Sequence, residues 1–181
     1  MGGIAHHFED FRRDVDVCIE TWSGILRESL GYRALYAYVK GSTVKRWDTF
    51  MDYVPLVSDV DIHVKVANED DFFPSEGSFE WAMELSSSYE ERFKIANPSH
   101  LHIPRAQIVI LNEIQKWEDY VPSAPGEVRT IFGEPDEERP QSPDEIRHID
   151  LKRLREDGEV IENLHKSVLD RTGLDFWVTI R

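Results

Sequence analysis

Two aspartates two positions apart are the residues of this 181-residue chain whose types and spacing best suggest chemistry. Polar and apolar residues alternate over 59–66, which predicts a β-strand with Asp59 and Asp61 on one face. Two carboxylates held this close repel each other unless a cation lies between them. Mg²⁺ typically takes one or two carboxylates plus the phosphates of a substrate. The pair therefore predicts a divalent-metal site.

A Gly-Ser turn lies upstream of the aspartates. The segment 33–40 is short and rich in aromatic and branched residues, which predicts a strand running into Gly41 and Ser42. Such a turn offers backbone N–H groups and a hydroxyl to phosphate oxygens. Lys45 and Arg46 follow closely and are candidate partners of triphosphate oxygens. The alternative is that they are two solvated loop cations.

These residues resemble the motif of the DNA polymerase β-like nucleotidyltransferase superfamily, in which a Gly-Ser ends the first strand and an Asp-x-Asp pair lies on the second. The resemblance covers roughly residues 33–112 and rests on five residues, namely Gly41, Ser42, Ser58, Asp59 and Asp61. It implies that the Asp pair binds two divalent ions, Mg²⁺ or Mn²⁺. It also implies attack on the α-phosphorus of a nucleoside triphosphate such as ATP, with pyrophosphate leaving.

The chain departs from the superfamily's pattern in two places. Residues 43–57 form a longer connection than in minimal members. The superfamily usually has a third carboxylate on the next strand, predicted here over 105–112, and Gln107 stands where we expect it. An amide is a neutral, weaker ligand for a hard cation. Either catalysis is impaired or lost, or the third acid comes from elsewhere, with four candidates: Glu69, Asp70, Asp71 and Glu113.

Hydrophobic periodicity predicts the elements around these residues. Apolar residues recur every three or four positions over 5–30 and over 79–96, which predicts two amphipathic helices. Gly31 stands where a left-handed C-cap would end the first helix. The unbroken apolar run 108–111 is typical of a central strand that is covered on both faces.

The C-terminal third begins with a helix start signal. Ser142 followed by a proline, with Glu145 three residues on, predicts a helix from about residue 143. We expect a break at Asp157-Gly158, a second helical segment beyond it, and a final strand over 176–180.

This order of elements predicts an α/β (α+β) fold, a nucleotidyltransferase-like mixed sheet flanked by helices with an added C-terminal helical segment. We expect three regions. Residues 1–121 form the nucleotidyltransferase-like domain with its N-terminal helix. Residues 122–143 form a Pro-rich acidic loop. Residues 144–181 form C-terminal helices and a final strand packed on the same domain.

Composition limits the partners. The 21 Lys and Arg residues against 35 Asp and Glu residues give a net charge of −14. Broad binding to long nucleic acid depends on neutralising phosphates, so a small-molecule or protein acceptor fits better. No apolar stretch is long enough to predict a membrane span. Cys18, the single cysteine, excludes an internal disulfide and fits a reducing, cytoplasmic setting.

Three functions follow. The first is a metal-dependent nucleotidyltransferase that transfers a nucleoside monophosphate to a small-molecule or protein acceptor. The alternative is a catalytically impaired nucleotide-binding or protein-interaction module on the same fold, which the resemblance associates with a homo-oligomer or a helical partner protein. The third is an interaction domain unrelated to nucleotides, in which the Asp pair belongs to the solvated face of a strand.

Overall fold

The computed structural model describes residues 5–49, 52–135 and 141–170, together with residues 173 and 175. The chain forms two compact units, Met1–Asp136 and Glu137–Arg181. The protein is of the α/β class, and its principal elements are α1 (Ala5–Leu30), β1 (Ala34–Lys40), β2 (Asp59–Val66), α2 (Ser78–Ala96), β3 (Arg105–Ile110), α3 (Leu111–Ile114), β4 (Val128–Phe132) and α4 (Pro143–Asp170). Among the described helices, none has the length and apolar character that crossing a membrane requires.

The four strands form one mixed sheet in the order β3-β2-β1-β4. β1 pairs antiparallel with β2 and with β4, whereas β2 and β3 are parallel. The three strands predicted upstream of residue 113 are therefore confirmed. The expectation of a central third strand is wrong, because β3 lies at an edge of the sheet among the described strands. The apolar run that suggested it is divided between β3 and α3, which begins at Leu111.

Helices α1 and α2 contribute to the core on one face of the sheet. Val60, Ile62, Val64 and Val66 of β2 have no solvent exposure, as their alternation predicted. They belong to one apolar cluster with the stripe of α1, which includes Val15, Cys18, Trp22 and Ile25. Burial raises the pKa of the Cys18 thiol to about 12, so this cysteine is inert packing. Gly31 ends α1 with φ 58°, the left-handed cap that its position predicted.

The opposite face of the sheet is covered in part. Tyr36 and Tyr38 of β1 form a small buried cluster with Leu111, and Ile114 and Val128 pack against it. Their cross-strand partners on β2 include His63, which is buried with them. The aspartates lie at the start of β2, beyond this covered region, so the polar end of the face stays accessible.

Two expectations about the C-terminal third are wrong. The segment predicted as a loop over 122–143 contains β4, whose branched and aromatic residues pair with β1 and bury Phe132. α4 is continuous through Gly158, because one glycine costs a helix interior only about 1 kcal/mol and the flanking residues are good helix formers. The strand expected over 176–180 lies outside the described residues.

Gly133 allows β4 to end against β1. Its φ is 73°, and an added Cβ would lie 2.0 Å from the carbonyl oxygen of Leu35. We expect Gly133→Ala to lower the free energy of unfolding by about 2–4 kcal/mol, because backbone strain and a backbone clash add. Gly126→Ala is the control, since nothing lies within 4 Å of the position that a Cβ would take there. Urea denaturation giving equal effects for both variants would contradict this account of β4.

Candidate functional site

The register of three strands brings the polar residues of the predicted site together. Asp61 of β2 pairs with Lys40 of β1 on one side and with Gln107 of β3 on the other. Asp59 pairs with Arg105 of β3. Residues opposite each other in paired strands share a face of the sheet. Gln107 therefore lies beside the Asp pair on the same face, as the sequence predicted.

The turn after β1 touches the Asp61 carboxylate. Gly41 has φ 73°, and a Cβ added there would lie 2.8 Å from the Asp61 Oδ2 atom. Any other residue would be strained at this φ and would push the carboxylate away. The glycine is thus required both by the turn and by the close approach of Asp61. Asp61 therefore lies against the Gly-Ser turn.

Two hydrogen bonds to main-chain carbonyl oxygens hold the Gly-Ser turn in place. Residues Gly41–Thr43 form a 3₁₀ turn, and the Thr43 hydroxyl donates to the Lys40 carbonyl oxygen at 2.8 Å. The indole Nε1 of Trp47 donates to the Ser42 carbonyl oxygen at 2.9 Å. The Ser42 hydroxyl makes no hydrogen bond within the described part of the chain. The first N–H groups of such a turn lack partners inside it and suit an anion.

The electrostatics of the pair favour a cation. Burial raises the pKa of Asp61, and the neighbouring Asp59 carboxylate adds to the rise, against smaller opposing effects of Lys40 and Arg105. Asp59 makes an ion pair with Arg105 at 3.2 Å, but the Arg105 side chain is 58% exposed. Such exposed pairs contribute only about 0–1 kcal/mol, so a divalent ion would displace the guanidinium at small cost.

The donor set fits Mg²⁺ or Mn²⁺ through two carboxylates. In the described ranges, no cluster of three or more acidic, histidine or cysteine side chains has metal-binding geometry. Mg²⁺ is commonly held by one or two carboxylates, with substrate phosphates and water filling the remaining positions. Asp59 and Asp61 meet that requirement. Gln107 stands beside them with an amide oxygen, a neutral ligand.

The other acids proposed as a third ligand lie at the wrong end of the sheet. Glu69, Asp70 and Asp71 follow the far end of β2, and Glu113 follows the same end of β3, because these strands are parallel. Along β2 alone, that end is about 16 Å from Asp61 at roughly 3.3 Å a residue. Asp71 caps its own turn through the Asn68 N–H, and Glu69 pairs with Lys116. The proposal of these four as the third acid is therefore wrong.

Lys45 and Arg46 lie on the exposed loop beyond the turn. The main chain there is fixed by Arg12 of α1, which donates to the carbonyl oxygens of Thr43 at 3.0 Å and Lys45 at 2.9 Å. The pKa of the Asp52 carboxyl is lowered mainly by a hydrogen bond from the Thr49 N–H, and the charge of Lys45 adds a smaller contribution. The structure thus leaves the phosphate-binding role of these two cations a prediction.

A buried network anchors the long connection 43–57, and the sequence did not reveal it. The Asp14 carboxylate is fully buried in α1 and accepts hydrogen bonds from the Asn97 amide at 2.6 Å and the Leu101 N–H at 3.0 Å. It also bonds both the backbone N–H and the ring Nδ1 of His102. With its proton on Nδ1, His102 accepts at Nε2 from the Tyr53 hydroxyl, 3.0 Å away.

Tyr53 transmits this anchoring to the Gly-Ser turn. Its ring stacks on Trp47 with centroids 4.4 Å apart, and Trp47 in turn bonds the Ser42 carbonyl. The guanidinium of Arg12 lies 3.8 Å over the Trp47 ring on the other side. In the sequence, Asp14 is one of several charged residues between the apolar positions of α1, and no pattern separates it from the others. Only the structure shows that its side chain is fully buried.

His63 follows the Asp pair along the same face of β2, and its side chain is only 4% exposed. Its ring stacks on Tyr38 with centroids 5.0 Å apart, and its Nδ1 has no hydrogen-bond partner within the described residues. Burial lowers the pKa of His63 to about 4, with a contribution from the charge of Lys40. The imidazole next to the candidate site is therefore neutral at physiological pH.

Comparison of the chain with family models, curated proteins and solved structures finds no match. The functional argument therefore depends on the geometry of the site.

His63 makes stability pH-dependent. Its folded pKa of about 4 lies below the roughly 6.5 of an exposed histidine, so the unfolded chain binds the proton first as pH falls. The stability that neutral His63 contributes is complete above about pH 6.5 and is lost as pH falls towards 4. Burial lowers the pKa of His102 too, which acts in the same direction.

We expect His63→Phe, which preserves a ring beside Tyr38, to reduce the loss of unfolding free energy between pH 7 and pH 5. Urea denaturation at several pH values measures it, and His148→Phe on the exposed surface of α4 is the control. An identical pH profile for His63→Phe and the unchanged protein would refute the assignment.

Proposed function

We propose that this protein is a metal-dependent nucleotidyltransferase that transfers a nucleoside monophosphate from a triphosphate to a small-molecule or protein acceptor. The observation that carries the proposal is the close approach of the Asp61 carboxylate to Gly41, where an added Cβ would lie only 2.8 Å from the Asp61 Oδ2 atom. It puts a carboxylate that can bind a divalent ion next to a turn whose N–H groups and Ser42 hydroxyl can bind phosphate oxygens. A metal–triphosphate complex requires both kinds of group.

Each residue has a distinct task in this proposal. Asp59 and Asp61 hold the divalent ion, which when bound supplies charge neutralisation of the triphosphate. The N–H groups of the Gly41–Thr43 turn and the Ser42 hydroxyl bind and orient phosphate oxygens. Arg105, whose exposed guanidinium pairs with Asp59, would be free to pair with a phosphate oxygen if Asp59 held the metal.

The net charge of the chain suggests which class of molecule accepts the nucleoside monophosphate. A chain with a net charge of −14 repels long polyanions, so we propose a small molecule or a protein side chain as the acceptor. The buried, unpaired Cys18 supports a reducing compartment such as the cytoplasm as the place of action.

Removing one carboxylate tests the proposal. We expect pyrophosphate release from nucleoside triphosphates in the presence of Mg²⁺ or Mn²⁺, and a loss of about 100-fold or more in Asp61→Asn, because metal neutralisation supplies several kcal/mol. Asp70→Asn makes the same change of charge on an exposed turn at the far end of β2 and should leave release unchanged. Equal release by both variants would overturn the metal site.

Thermal shift with Mn²⁺ separates specific binding from screening of the acidic surface. A bound ion raises the melting temperature by mass action, and more at pH 8 than at pH 5, where protons compete for Asp61. The double variant Asp59→Asn with Asp61→Asn should lose this increase. An undiminished increase in the double variant means that the ion acts by screening alone.

A second candidate function, nucleotide binding without transfer, is favoured by the position of Gln107. Its pairing with Asp61 puts an amide where the superfamily that the sequence resembles has its third carboxylate. If position 107 is where the third carboxylate is missing, Gln107→Glu should tighten Mn²⁺ binding and should raise or create pyrophosphate release. Gln107→Asn should do neither, because it adds no carboxylate. Metal-dependent nucleotide binding without product in the unchanged protein, with release gained in Gln107→Glu, identifies the binding module.

A further inference from the structure

Lys40 is the last residue of β1, and its side chain lies on the same face of the sheet as the Asp pair. It pairs with Asp61 on β2, and residues opposite each other in paired strands share a face. The next residue along the chain is Gly41, where the Gly-Ser turn begins. Lys40 therefore adjoins both parts of the candidate site, the carboxylate through the sheet and the turn through the chain.

The Lys40 ammonium has no bonding partner among the residues that the structure describes. Its side chain is half-buried, yet it makes neither an ion pair nor a hydrogen bond in that part of the chain, even with the neighbouring Asp61. An ammonium has three donors and is strongly hydrated, so partial burial without a partner is costly. An anion bound at the adjacent turn would satisfy it.

The groups that face Lys40 leave its charge available to such an anion. Burial is the main cause that lowers the pKa of His63, and the charge of Lys40 adds to it. Burial raises the pKa of Asp61, and the same charge opposes that rise. On the other side of β1, Lys40 pairs with the apolar Val128 of β4. Because His63 is neutral, a phosphate becomes the natural partner of Lys40 once Asp61 holds a divalent ion.

The loop cations Lys45 and Arg46 differ from Lys40 in exposure. Both of their side chains are exposed, whereas the stem of Lys40 is already partly held against the sheet. Ordering a long exposed side chain costs entropy, and water screens the contact that it makes. Binding through Lys40 loses less of this entropy and occurs where screening is weaker.

We propose that Lys40 is a phosphate-binding residue of the candidate site, whose ammonium donates to an oxygen of the bound triphosphate. The inference rests on the proposed function, since it needs a triphosphate beside the Asp pair. It adds a residue that precedes the Gly-Ser motif and that the sequence did not single out. It also gives this residue a role that the sequence predicted for Lys45 and Arg46.

Calorimetric titration of the full chain with inorganic tripolyphosphate, with Mn²⁺ in excess, tests the assignment. Lys40→Met keeps the length of the stem and removes the charge. The dissociation constant of tripolyphosphate should rise about tenfold or more, because a charge-assisted hydrogen bond is lost. Lys40→Arg should stay within about threefold of the unchanged protein, because a guanidinium also pairs with phosphate oxygens. Without tripolyphosphate, Mn²⁺ should bind Lys40→Met at least as tightly, because a neighbouring positive charge has been removed.

Lys65→Met is the matched control. Lys65 carries the same charge on the same face of β2, and its ammonium is hydrogen-bonded to Gln115. This variant should leave the dissociation constant of tripolyphosphate unchanged. Equal losses in Lys40→Met and Lys65→Met would mean that net charge alone matters, and they would overturn the assignment. A loss confined to the double variant Lys45→Met with Arg46→Met would overturn it too, because the loop would then hold the phosphate.

The double variant Asp59→Asn with Asp61→Asn separates this inference from the proposed function. If the unchanged protein binds Mn²⁺ no better than this variant does, the metal site fails and the assignment of Lys40 fails with it. If Mn²⁺ and tripolyphosphate bind through the Asp pair but Lys40→Met binds them as the unchanged protein does, the assignment of Lys40 fails alone.

Discussion

The buried carboxylate of Asp14 is the constraint on which the arrangement around the site depends. A charge taken fully out of water is tolerated only when hydrogen bonds replace its hydration. Asp14 obtains them from the chain that joins α2 to β3, at Asn97, Leu101 and His102. These hydrogen bonds hold the segment just before β3 against α1, and so they help to position the strand whose Gln107 pairs with Asp61.

The same constraint reaches the phosphate-binding side of the site through aromatic contacts. His102 is hydrogen-bonded to the Tyr53 hydroxyl, and the Tyr53 ring stacks on Trp47. The Trp47 indole in turn donates a hydrogen bond to the Ser42 carbonyl oxygen. Asp14 of α1 is thus connected to both parts of the site, β3 on one side and the Gly-Ser turn on the other. The long connection between β1 and β2 is explained by this role, because a shorter one would lack the residues that make the contacts.

The sequence predicted the elements that have strong local patterns. Alternation over 59–66 predicted β2 and its orientation, and the helical stripes of α1 and α2 predicted the layer against it. β4 was missed because its five residues lie between prolines and acids, and only its pairing with β1 stabilises it. The continuity of α4 was missed because Asp157-Gly158 weakens the local helix signal without breaking the helix.

Within the site, the sequence predicted the Asp pair, the Gly-Ser turn and the facing position of Gln107, because spacing within strands determines these. It did not predict the burial of Asp14, His63 or His102, since a polar residue becomes buried only through partners far away in the chain. Arg105 beside Asp59 is a similar case. Its role depends on the parallel register, which no local pattern specifies.

The order of the strands also sets the order in which the sheet can assemble. β1 and β2 are neighbours in the chain and pair first, whereas β4, the last strand described, must return across the whole domain to reach the free edge of β1. Until it does, β1 presents unpaired backbone groups beside its tyrosines, a state that favours association with other chains. During synthesis on the ribosome, this edge therefore stays open until the whole first unit has emerged.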